Sequence, residues 1–260
     1  MNLNAFDWSI LWPAFVAGLL VTATHVPLGT QVLARGIVFI DLAIAQVAGC
    51  GVLLADQLGF EPEGLAVQAA ALVAALGGAL LLTWTERIWP DVQEAVIGVV
   101  FVLAATGSVL LLASNVHGSE HLRDLLVGQI LWVSPRWLAW TGLVYAGILA
   151  LWFGARERIG RIGFYIVFAL AVTLSVQLVG VYLVFASLIV PPLATRRMNR
   201  GRLAAAWGIG VAGYAAGLLL STAFDLPTGP TVVWALVVIA SVWHAALPSA
   251  RRRPMEAAAE

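Results

Sequence analysis

Apolar residues run along the chain in long blocks, separated by short polar clusters at about 32–36, 56–63, 85–91, 116–135, 156–163, 196–202 and 223–228. The blocks predict helical spans at about 9–31, 37–55, 64–84, 92–115, 136–155, 164–180, 181–197, 203–222 and 229–247. Most approach the roughly 20 residues that a helix needs to cross an apolar layer about 30 Å thick. Alternating patterning of the kind that builds a membrane β-barrel is absent. The blocks at 164–180 and 181–197 are short and meet at Gly180, so they read either as two short helices or as one long tilted element. The predicted fold class is all-α: a polytopic transmembrane helical bundle of about 8–9 spans, with residues 1–260 as a single domain.

Composition strengthens this reading. Hydrophobic residues make up 61% of the chain and charged ones 11%, against roughly a quarter charged in an ordinary soluble domain. Every basic residue is an arginine, and there is no lysine. A phosphate-binding P-loop needs its lysine at the phosphates, so any ATP that drives this protein must be bound by another chain. The single cysteine, Cys50, excludes an intrachain disulfide or a cysteine metal cluster. The start "MNLNAFDWSI" has Asp7 and no basic residue, which makes a poor signal peptide, so the first apolar block is expected to be retained. Twelve of the fourteen arginines fall on alternate loops, all except Arg123 and Arg136. The positive-inside rule then puts the N-terminus outside and the C-terminus inside. Trp8, Trp12, Trp84, Trp89, Trp137 and Trp243 fall near span ends, as interfacial anchors do.

The polar residues inside the apolar blocks are the candidates for chemistry. In "GIVFIDLAIAQVAG", residues 36–49, Asp41 and Gln46 are five positions apart, about 140° around a helix, so both can border one cavity without sharing a stripe. An acid at such depth points to function, because an unpaired charge in lipid is costly. The alternative is a structural partner such as a hydroxyl, a backbone group or Arg35. His25, in the first span, is either bonded to a neighbouring carbonyl or a ligand along a path. "HGSEH" sets His117 and His121 one helical turn apart with Glu120 beside them, a workable set for a borderline divalent ion, though two histidines in a wet loop usually bind nothing. The spacing is not that of a zinc protease, which needs His-Glu-x-x-His. Gln177 and Tyr182 flank Gly180 and either face a pathway or hold helices together. Asp91 and Glu94 read as first-turn acids behind Pro90 or as carboxylates along a path, and Asp225 in "DLPTGP" as an N-cap or an external contact. His244, near the end of the last span, reads as an interface residue.

Four stretches in order resemble the membrane permeases of bacterial zinc, manganese and iron ATP-binding-cassette importers. They are "VPLGTQVLARG", "QEAVIGVVFVLAATGSVLLL", "LLVGQILWVSP", and "VGVYLVFASLIVPPLATRR" with the downstream "AFDLPTGPTVV". The resemblance implies a multi-pass protein of the bacterial inner membrane that does no covalent chemistry and moves a divalent metal, zinc or manganese. It further implies a homodimer, an ABC ATPase subunit that binds the ATP, and an extracytoplasmic metal-binding protein. No cofactor is then bound by this chain, and no nucleic acid is involved. A coupling helix is implied within "ATRRMNRGRLA", where Arg196, Arg197, Met198, Asn199 and Arg200 would dock on the ATPase or simply mark the inner face. This chain has only "GARERIGRIG" where relatives carry a longer cytoplasmic segment. The family's second span carries Gly-Asp-x-x-x-His. Gapless alignment from "PLG" sets Leu42 on that aspartate and Gln46 on that histidine, while a one-residue slip matches Asp41 but leaves Ala45 for the histidine, so neither register keeps the pair. Gln46 offers a neutral oxygen at best, suiting a hard or hydrated ion. Competing readings are the same architecture with another cargo, and an intramembrane metalloenzyme built on His117, Glu120 and His121.

Overall fold

The computed structural model describes residues 8–61, 64–112 and 130–246, except for the side chains of residues 156 and 157. These residues fold into helices without a strand among them. The helices are α1 (Trp8–Arg35), α2 (Ile40–Gln57), α3 (Leu65–Ile88) and α4 (Gln93–Leu112), then α5 (Pro135–Ala155) and α6 (Arg158–Val179), and finally α7 (Val181–Ala194), α8 (Arg202–Phe224) and α9 (Thr228–Ala246). Eight of them are long and apolar enough to cross a membrane. The other, α7, has 14 residues, about 21 Å at 1.5 Å per residue and so short of the roughly 30 Å layer. Among the described residues the expected eight or nine spans become eight long helices and one short one, and α6 and α7 are separate because Gly180 takes φ 81°, ψ 162°.

The polar connection expected over 156–163 is largely helical. α5 runs into α6 through two breaks, Ala155 (φ −139°, ψ 25°) and Gly160 (φ 59°, ψ −170°). Glycine makes the second break cheap, because it has no Cβ to oppose positive φ.

α1 lies in the middle of the bundle, packed against the continuous α5–α6 segment, α7 and α8. Gly18, Thr22, His25 and Gly29 fall within an arc of about 60° and are all buried. A Cβ at Gly18 would meet the ring of Tyr214 on α8, Thr22 lies against Gly210 of α8, and Gly29 lies against the Leu188 carbonyl and the Pro192 ring of α7. Small residues let helix backbones approach where lipid provides no hydrophobic drive between helices. The same device joins α8 to α9, where Gly213 faces Leu236 and Gly217 faces Val232, and α2 to α3, where Gly51 faces Ala70 and Ala74. Buried hydroxyls tie the interior together. Tyr145 of α5 donates to the Ala171 carbonyl at 3.0 Å and bonds Ser175, while Ser187 of α7 bonds Tyr214 at 2.9 Å.

Except for Arg136, which opens α5 at the other end, the described arginines lie at one end of the bundle. There the Arg35 guanidinium sits 4.3 Å from the Phe164 ring centroid, and Arg161 pairs with Glu86 at 3.6 Å. Glu94, expected to act on its own helix, accepts a bond from the Phe39 amide at 3.2 Å and so fastens α4 to the α1–α2 connection. Asp225 is not an N-cap of α9; it ends α8 in the left-handed region, with φ 52°.

Candidate functional site

α2, α4, α7 and α9 enclose an open groove of about 730 Å³. Its walls are mainly aliphatic and aromatic, including Phe101, Phe185 and Trp234, and its side-chain oxygens are those of Gln46 and Tyr182. Helix geometry decides which residues of α2 reach it. Leu42 and Gln46 are one turn apart and both line the groove, whereas Asp41 is turned about 100° from Leu42.

Asp41 is buried in the first turn of α2 and is not part of the groove lining; its Oδ1 has no hydrogen-bond partner. His25 is also fully buried and outside the groove. Its Nδ1 is 3.1 Å from the Val21 carbonyl and 3.1 Å from the Thr24 hydroxyl, so a proton on Nδ1 donates to that carbonyl, and Nε2 is left without a partner. The carbonyl-bonded reading of His25 thus describes its geometry. Asp41 and Gln46, adjacent in the sequence argument, fall on different faces.

His117, Glu120 and His121 lie outside the described residues. Among those described, no three histidine, cysteine, aspartate or glutamate side chains come together as a metal-binding group.

Arg196, Arg197, Asn199 and Arg200 are exposed and Met198 half-buried, between α7 and α8. The helix implied within 194–204 is not formed: turns and bends follow α7, and α8 starts at Arg202. α7 continues through Pro191 and Pro192 to Ala194, and the left-handed Gly201 (φ 68°) interrupts the helix ahead of α8. Thr195 satisfies the Pro191 carbonyl at 3.1 Å, and Arg202 reaches the Pro192 carbonyl at 3.5 Å.

Two features of the site escaped the sequence reading. Phe39, ahead of α2, stacks on the groove residue Phe185, with centroids 6.2 Å apart and planes 1° from parallel. In addition, Pro192 has no amide hydrogen for the Leu188 carbonyl four residues back, and that carbonyl oxygen lies where a Cβ at Gly29 would stand. The "PLG" and "VPPL" segments, far apart in sequence, therefore meet. Proline beside glycine was the available signal, but nothing in the sequence paired the two segments.

Residues 7–159 and 149–245 match the ABC 3 transport family. An uncharacterised membrane protein of Synechocystis is 26% identical over 88% of each chain. The high-affinity zinc uptake system membrane protein ZnuB of Haemophilus influenzae is 24% identical over 87% of this chain and 93% of its own. The structure of PsaBC from Streptococcus pneumoniae in complex with Fab shares the fold, with a TM-score of 0.75, 19% identity and 93% of both chains covered.

Proposed function

The chain belongs to the ABC 3 transport family, and from that premise we propose that it is the permease of a bacterial importer moving a divalent metal ion, zinc or manganese. A separate ATPase subunit would supply the energy and an extracytoplasmic binding protein the ion. The groove carries this reading, because it sets the Gln46 amide and the Tyr182 hydroxyl beside the break between α6 and α7. Helices interrupted inside the bilayer, with irregular backbone beside a cavity, are where transporters build their sites.

Two copies facing one another across the groove would double Gln46 and Tyr182 around a shared axis. ATP binding and hydrolysis on the partner would then shift the dimer between outward- and inward-facing states through differential contacts. In this arrangement Arg196, Arg197, Met198, Asn199 and Arg200 form the docking loop for the ATPase. Neutral oxygens hold a hard or partly hydrated ion better than they hold zinc, which favours manganese of the two.

Metal accumulation in starved cells, at matched expression, tests the proposal. Gln46→Ala lowers uptake, whereas Gln46→His, which adds an imidazole, shifts the preference toward zinc. Asp41→Ala leaves the ion preference as it is, since Asp41 does not face the groove. If deleting the gene changes neither zinc nor manganese accumulation, the metal assignment falls. A second reading, a chelated metal as cargo, draws on the groove volume, which lies within the roughly 300–1,000 Å³ typical of small-ligand sites.

A further inference from the structure

We propose that the elbow between α5 and α6 binds an anionic phospholipid. A second groove, of about 240 Å³, runs along this elbow. Leu151 and Ala155, one turn apart on α5, form one wall, and Ile159, Ile166 and Val167 form the other. The breaks at Ala155 and Gly160 shape the groove by bending the chain between the two spans. Gly163 keeps it open, since a methyl at that position would crowd the Ile159 side chain.

The wall is wholly apolar: Arg158 lines it with its aliphatic stem, and its exposed guanidinium lies beyond the lining. Its guanidinium forms no ion pair among the described residues, unlike Arg161, which is held by Glu86, while Arg35 is engaged on the Phe164 ring. Leu151 and Ile166 are exposed, so the groove opens on the outer surface of two spans rather than into the bundle. An apolar furrow, with a cation just outside it that is unpaired among the described residues, fits a molecule with an acyl chain and a phosphate head. Guanidinium recognises phosphate with two parallel bonds, and basic pockets between spans on the cytoplasmic side select anionic headgroups. A zwitterionic headgroup carries its own ammonium beside the phosphate and gains less from Arg158. Bound there, the lipid would bridge α5 and α6 across both backbone breaks and limit how far the elbow bends.

Native mass spectrometry of the purified full-length chain in mixed micelles tests this. Phosphatidylglycerol and phosphatidylethanolamine of identical acyl chains are the probes. The wild type retains phosphatidylglycerol about fivefold more than phosphatidylethanolamine, the preference expected from one basic residue. Arg158→Gln abolishes the preference, Arg87→Gln at the same end of the bundle keeps it, and Ile166→Trp, which fills the furrow, lowers retention of both lipids. Millimolar inorganic phosphate leaves retention unchanged, because the acyl chain contributes. Equal retention of the two lipids by the wild type, or an undiminished preference in Arg158→Gln, overturns the proposal. So does retention that phosphate alone displaces.

Discussion

A methyl group added at Gly29 would run into the Leu188 carbonyl, whereas one added at Gly77 of α3 meets nothing within 4 Å. The two glycines look alike in sequence, each inside an apolar helix, but their substitutions should have opposite effects. Gly29→Ala must push α1 from α7, and overpacking of this kind costs about 1–3 kcal/mol. Gly77→Ala replaces a poor helix former by a good one and gains about 0.5–1 kcal/mol. Thermal unfolding in detergent should show the first variant melting below the wild type and the second above it. Equal midpoints would mean that α1 and α7 do not touch at Gly29. Asp41 and Gln46 show the same limit on reading residues singly. Their polarity inside an apolar block was visible in the sequence, and so was the angle between them. Which of the two faces the groove depends on where α4, α7 and α9 pack, and no local pattern carries that.

At the scale of elements, apolar blocks and arginine clusters marked the nine helices among the described residues, most of them to within a few residues, because the bilayer imposes length and composition on each span. They failed where the chain bends without becoming polar or becomes polar without unwinding. The arginine-rich stretch at 156–163 stays largely helical, since arginine is a good helix former, while 195–201 turns and ends at a left-handed glycine, Gly201. α7 is short because Gly180 breaks it from α6. With φ 81° and ψ 162°, Gly180 occupies a region that residues with a Cβ avoid at a cost of about 1–3 kcal/mol. Gly180→Ala should therefore lower the melting temperature. It should also disturb transport more than its stability cost explains, because Val181 and Tyr182, the next two residues, line the groove. Uptake restored in full once expression is matched would show that the break has no part in the pathway.

In the whole molecule, the groove faces outward. Trp234 is 72% exposed and Tyr182 50%, and hydrocarbon in place of a partner would leave the Gln46 amide and the Tyr182 hydroxyl without hydrogen bonds, a cost of about 1–3 kcal/mol each. A second copy of the chain meeting this face, as proposed above, would remove the problem and enclose the cavity. The residue pattern could hint at orientation through the arginines, but the homodimer came only from the family resemblance, because residues that face lipid and residues that face another copy are equally apolar. Cysteine cross-linking separates the two situations. With Cys50 replaced by alanine, single cysteines at Val109, Tyr182 and Val237 probe the groove, and one at Leu143 of α5, exposed but outside the groove, serves as control. A disulfide needs Cα atoms within about 7 Å, so only positions near the axis between copies can react. Oxidation of membranes should yield a linked dimer from at least one groove position and none from Leu143→Cys. Cross-linking at Leu143 alone would move the contact between copies to α5 and leave the groove to lipid, and the route for the ion would then have to be sought on another face.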